Sequence, residues 1–115
     1  MFRYFTIAEF ACKCGCGTNN IKHTFIHRLD ELRERCGFPF HITSGYRCED
    51  HPAEASKDKP GQHHEGLAAD IQVSNGHQRY LIQKHAYAMG FSGIGPAKSF
   101  VHIDDRGSLG VSWVY

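Results

Sequence analysis

Two short segments of this 115-residue chain carry residue types suited to holding a metal ion. The first reads His63-His64-Glu65-Gly66-Leu67-Ala68-Ala69-Asp70 and the second Val101-His102-Ile103-Asp104. Successive side chains of a strand point to opposite faces. Asp70 therefore lies opposite the aliphatic row Leu67, Ala69, Ile71 and Val73, on a face with Ala68 and Gln72. By the same period, His102 and Asp104 share a face with Phe100, opposite Val101 and Ile103. A carboxylate on the inner face of a short strand is costly unless it is paired or metal-bound. Imidazole is the commonest metal ligand. Two histidines and one carboxylate suit catalytic zinc, where three protein groups hold the ion and a fourth position is left for water. The plainer alternative for His-x-Asp is a hydrogen-bonded pair, and spacing alone does not choose between His63 and His64.

These segments need elements to position them. Phe25, Leu29, Leu32 and Cys36 recur at spacings of four, three and four, which predicts a helix over about residues 21–36. Asn19 or Asn20 can cap its start and Gly37 can end it. Arg28, Glu31, Arg33, Glu34 and Arg35 form its solvated side. Residues 38–43 read as a short strand and residues 44–47 as the turn leaving it. Residues 48–62 are polar and hold two prolines, which predicts a long surface loop. Residues 66–73 form the first ligand-bearing strand, and Ser74 or Asn75 caps a second helix over about 77–89, ended by Gly90. Leu81, His85 and Ala88 share one face of that helix, with Ile82 and Met89 alongside. Glycine-punctuated strands follow at Ile94, 100–104 and about 111–115. The expected fold is α+β, a small and mainly antiparallel sheet with two helices.

Composition narrows the function classes. The length is that of one domain, residues 1–115, with a cysteine-rich segment over 1–20. Hydrophobic residues at 41% and charged residues at 22% argue against wholesale disorder. A formal charge of +1 gives no strong field toward nucleic acid or an anionic membrane, so neither is an expected partner. No apolar run reaches the roughly 20 residues of a membrane helix. The N-terminal stretch has Glu9 and a cysteine cluster where a signal peptide would carry its apolar segment, so no secretory signal is read. Five cysteines, Cys12, Cys14, Cys16, Cys36 and Cys48, are an odd number for a paired framework, and reduced thiols are the default. CKCGCG reads as a tight turn with buried thiols; a structural metal or a bridge to Cys36 or Cys48 is the weaker reading.

Four motifs in order carry a resemblance. They are Ser44-Gly45-Tyr46-Arg47, His63-x-x-Gly66-x-Ala68-x-Asp70, Gly90-Phe91-Ser92-Gly93-Ile94-Gly95 and Phe100-Val101-His102-Ile103-Asp104. From about residue 20 onward the chain resembles the zinc D-Ala-D-Ala carboxypeptidase family. That family includes bacterial D,D-carboxypeptidases, D,D-dipeptidases and phage L-alanyl-D-glutamate endopeptidases, and the hedgehog signalling domain is a structural relative. The resemblance implies one zinc ion per chain on His63, Asp70 and His102, with His64 as a neighbour. It implies that Arg47 binds a substrate carboxylate or polarises the scissile carbonyl, as a planar, permanently charged fork can. Ser44 and Tyr46 are then expected to line the substrate cleft. The implied substrate is a peptidoglycan stem peptide.

The chain departs from the family pattern at three places. Gly61 replaces a serine two residues before the first ligand, His51-Pro52 stand where an asparagine is common, and Ser99 stands where many members carry an acidic base. Asp104 is the nearest acid on the metal face and is the expected general base; its rival role is to fix the tautomer of a ligand histidine. The F-V-H-I-D variant resembles a phage and prophage subgroup. That subgroup implies action at the bacterial wall from the host cytoplasm or a virion, alongside other phage virion or lysis proteins. The alternatives are an inactive zinc-binding or wall-binding module and a structural component of a phage particle.

Overall fold

The apolar spacing of the first helix folds as expected. In the computed structural model, which describes residues 2–16, 18–51, 61–107 and 109–115, helix α1 spans His23–Cys36 and buries Phe25, Ile26, Leu29, Leu32 and Cys36. Each large side chain so buried contributes roughly 1.5–3 kcal/mol. Gly37 ends α1 in the left-handed region (φ 78°) and donates its N–H to the Arg33 carbonyl. The start differs from the expectation. The N-cap is Lys22, with no side-chain cap. Asn19 Oδ1 instead accepts from the Ile21 N–H, and the Asn20 amide donates to the Tyr46 hydroxyl. Both asparagines serve the loop rather than the helix end. Arg28 is not simply solvated either. It makes a two-pronged pair with Asp105 (2.8 and 3.0 Å), donates to the Met89 carbonyl and lies 4.3 Å over the Phe91 ring.

Asn75 caps the second helix, α2 (Gly76–Met89), by accepting from the Gln78 N–H at 2.9 Å. Its buried stripe is Ile82 and Ala86, with Leu81 and Met89 packed partly against the core. The expected Leu81–His85–Ala88 face is therefore turned outward by part of a turn, and Ala88 is exposed. Ile82, Ala86 and Met89 satisfy the helical period as well and offer the better apolar stripe.

Among the described residues five strands form one sheet in the order β1-β2-β4-β3-β5: β1 Ile42–Ser44, β2 Ala68–Gln72, β3 Gly93–Pro96, β4 Phe100–Asp104 and β5 Val111–Ser112. All neighbours are antiparallel except β3 and β5, which are parallel. The expected strand over 38–43 shrinks to Ile42–Ser44, because Phe38 and Phe40 stack edge-on (5.4 Å) and pack on the core instead of extending the ladder. The last strand is shorter than expected, yet Trp113 and Tyr115 continue its bonding by donating to the Ile94 and Pro96 carbonyls. Ala69, Ile71, Val101 and Ile103 pack with both helices into the core. The α+β expectation therefore holds.

The N-terminal segment joins the same core through Phe5, Phe10 and Cys12. Buried Asp30 of α1 ties it down by accepting from the backbone N–H groups of Arg3 (2.7 Å) and Tyr4 (2.9 Å). A 3-10 turn over Ile7–Phe10 follows. CKCGCG does turn tightly, with Gly15 at φ 95°, but only Cys12 of its thiols is buried; Cys14 and Cys16 are exposed. Most of the expected 48–62 loop, residues 52–60, lies outside the described residues. Among the described residues no helix is long and apolar enough to cross a membrane.

Candidate metal centre

Strand register brings the ligand candidates into one row. Ser44 pairs with Asp70, Asp70 with His102, and His102 with Gly95, across β1, β2, β4 and β3. His63 comes from the turn before β2. The three donor atoms converge: His63 Nε2 lies 3.2 Å from His102 Nδ1 and 3.3 Å from Asp70 Oδ1, and His102 Nδ1 lies 3.1 Å from Asp70 Oδ1. All three residues are buried.

Tautomers follow from the outer partners. His63 Nδ1 stands 2.8 Å from the Gly45 carbonyl, which can only accept, so Nδ1 carries the hydrogen and Nε2 presents a lone pair inward. His102 Nε2 stands 2.7 Å from Asp104 Oδ2, so Nε2–H donates to that carboxylate and Nδ1 faces inward. Two imidazole lone pairs and a carboxylate oxygen thus meet with no hydrogen between them. Such a group needs a cation or extra protons. A tetrahedral ion with ligands about 2.0–2.1 Å away separates neighbouring donors by roughly 3.3–3.4 Å, close to the spacing found. The donor set therefore fits zinc.

In the ion-free site protons take the place of a cation, and the pKa shifts follow from that. Burial raises the Asp70 pKa, but hydrogen bonds from His102 and His63 outweigh it and hold the carboxyl well below the usual range. Burial lowers the His102 pKa, but its bonds to Asp104 and Asp70 outweigh that and leave it raised. Asp104 is 0% exposed; burial pushes its pKa up, and bonds from His102 and Arg106 bring it below normal.

The other expected site residues fall into two groups. Arg47 reaches the centre, with Nη2 3.4 Å from Asp70 Oδ2 and Nε donating to Ser44 Oγ at 3.0 Å. Ser44 thus braces the arginine. Tyr46 is buried, stacked on His64, with its hydroxyl accepting from Asn20, and is not among the cleft-lining residues. His64 is turned away from the centre, its Nδ1 3.0 Å from the Arg47 carbonyl.

A cleft of about 220 Å³ opens over the centre, lined by Arg47, Gln62, His63, His102 and three residues the motif reading missed: Arg106, Trp113 and Tyr115. Arg106 grips Asp104 through Nε (3.0 Å) and Nη2 (2.7 Å) and lies 5.2 Å over the Trp113 ring. Trp113 packs 4.9 Å from the His102 ring. The Trp113–Tyr115 alternation was visible in the sequence, but nothing there showed that β5 would run beside β3 in parallel.

The glycines of Gly93-Ile94-Gly95 make room for this packing. A Cβ on Gly95 would fall 2.3 Å from the Trp113 ring, and one on Gly93 2.1 Å from Asp104 Oδ1. Gly93→Ala is expected to destabilise the fold by about 1–3 kcal/mol, the usual cost of overpacking. It should also weaken metal binding by pushing Asp104 off His102. Denaturant unfolding and a zinc titration of the variant check both effects; wild-type values in each would show that Asp104 has slack.

No curated protein matches this chain. The peptidase M15 family model matches residues 3–104, nearly the whole chain. With that match laid over the His63–Asp70–His102 centre, the chain belongs to the peptidase M15 family, a family of zinc-dependent metallopeptidases.

Proposed function

We propose that the chain hydrolyses a peptide bond in peptidoglycan stem peptides, as an endopeptidase or D,D-carboxypeptidase. The observation that carries this reading is the convergence of His63 Nε2, Asp70 Oδ1 and His102 Nδ1 beneath a cleft edged by Arg47. Zinc held by those atoms supplies Lewis acidity, which polarises a carbonyl and acidifies water. Arg47 binds the anionic end of the substrate or the oxyanion that develops at the scissile carbonyl. Ser44 and Asp70 hold its guanidinium in place, so little reorganisation is needed when charge develops. Arg106 lines the same cleft while its guanidinium is paired with buried Asp104. Trp113 and Tyr115 wall one side of the cleft.

Asp104 is assigned to holding His102 rather than to proton transfer. Its carboxylate is fully enclosed and engaged by His102 and Arg106, and it does not line the cleft. The phage-type motif favours action on the wall during lysis or from a virion.

Purified peptidoglycan incubated with the zinc-loaded protein is expected to release muropeptides whose masses place one cut in the stem peptide. A chelator should stop the release and added zinc should restore it. Intact muropeptides despite a zinc-filled cleft would overturn hydrolysis and favour a wall-binding zinc module.

A further inference from the structure

Four cysteines outside the cleft also converge. Cys12, Cys14 and Cys16 come from the CKCGCG turn, and Cys48 comes from the segment directly after Arg47. Their sulfurs all lie within 4.8 Å of one another. Cys12 Sγ is 3.4 Å from Cys14 Sγ and 3.6 Å from Cys48 Sγ, and Cys14 Sγ is 3.3 Å from Cys48 Sγ. Four thiolates about 2.3 Å from a tetrahedral ion stand roughly 3.8 Å apart, so the sulfurs are nearly in place. The backbone already treats two of them as acceptors. Cys16 Sγ accepts from the Thr18 N–H at 3.3 Å, and Cys12 Sγ from the Cys48 N–H at 3.4 Å. The fifth cysteine, Cys36, is on the core face of α1 and takes no part.

We propose that Cys12, Cys14, Cys16 and Cys48 hold a second, structural zinc ion. Four thiolates close the coordination shell, leaving no open position for catalysis, and a tetrahedral all-sulfur set selects zinc or iron among common metals. Binding displaces the thiol protons into solvent. The ion clamps the N-terminal segment to the strand exit that carries Arg47. The two segments already meet there: the Tyr46 N–H donates to the Phe10 carbonyl at 2.7 Å, and Gly45 lies so close to Phe10 that a Cβ would fall 2.6 Å from its Cα. The Gly45 carbonyl in turn holds His63. The sulfur site thus braces, through the backbone, the segment that positions both Arg47 and the first cleft ligand.

Metal counting on protein purified under reducing conditions tests this. Wild type is expected to hold two zinc ions per chain. Cys14→Ser and Cys48→Ser should each hold one, and His63→Ala should hold one as well, but a different one. Alkylation should spare the four cysteines until a chelator is added. Should the serine variants fail to fold, cobalt-substituted wild type still decides: it should show thiolate-to-cobalt charge-transfer absorption. One zinc per chain in wild type, with freely alkylated cysteines and no such absorption, would overturn the proposal. So would iron in place of zinc, or the mass loss of disulfide formation in freshly reduced and zinc-loaded protein. Failure of the cleft site would appear separately, as zinc that vanishes only in the cysteine variants.

Discussion

His102→Ala is expected to empty the cleft and abolish hydrolysis together. His102 supplies one of three converging donors, and its partner Asp104 has no accessible surface through which to replace it. Loss of an outer partner of a zinc ligand typically costs about 10–100-fold in affinity, so loss of a ligand should cost more than about 100-fold. A chelator-competition titration reads the affinity, counted in a Cys14→Ser background so that the sulfur site does not contribute. Muropeptide release reads the activity. His64→Ala is the control: it lies one residue from a ligand, faces the Arg47 carbonyl and should keep the cleft metal. Full zinc occupancy in His102→Ala would rule out the ligand set.

The same centre fixes the sign of a pH effect. His102 has a raised pKa in the ion-free fold, so a proton competes with zinc for Nδ1. Zinc affinity should therefore climb as pH rises through that raised value and level off above it. Without zinc, the protonated His102 stabilises the fold fully below its unfolded value, near 6.5, and that stabilisation is lost as pH rises through the folded value. Asp70 acts in the opposite sense. Its pKa is depressed by folding, so its contribution is present above the unfolded value near 3.9 and fades only as pH falls through the folded one.

Asp104→Asn should separate two roles for that residue. An amide still accepts one hydrogen bond from His102 Nε2, but it cannot also take both prongs of Arg106. The expected result is a fall in zinc affinity of about 10–100-fold, with much of the rate recovered in excess zinc. A base would behave otherwise. Zinc would stay bound, and the rate would fall by roughly 10²–10⁴-fold at every zinc concentration. The acidic limb of the pH–rate profile would vanish too. Activity measured across a zinc titration distinguishes the two, and the second pattern would return the proton-transfer role to Asp104.

Period and spacing made the parts of this fold that depend on local chemistry legible. The α1 stripe, the glycine stops at Gly37 and Gly90 and the Asn75 cap are local features, and they appear where the sequence predicts them. The alternation in 100–104 also placed His102 and Asp104 together. What was not legible depends on contacts between distant segments. Asn19 and Asn20 are sound caps by type, yet a tertiary contact with Tyr46 claims one of them. Arg28 looks solvated on a helical wheel, but Asp105 lies beside it only after the sheet has formed. Arg106, Trp113 and Tyr115 reach the cleft because β5 joins β3 in parallel, and no local signal encodes that pairing. Cys48 meets the CKCGCG turn for a similar reason, across the Phe10–Tyr46 contact.

The Asp70–His102 pairing across β2 and β4 has a further consequence for assembly. Strand faces alternate with a period of two, so a slip of β4 by one residue would put His102 and Asp104 on the side now held by Val101 and Ile103. One carboxylate and one imidazole would then enter the core, at several kcal/mol per unpaired charge. The slipped sheet would also part His102 from Asp70, so a metal held by both would add its binding free energy to the correct register alone. Such a metal would act as a proofreader of strand alignment during folding, in a sheet whose strands are at most five residues long.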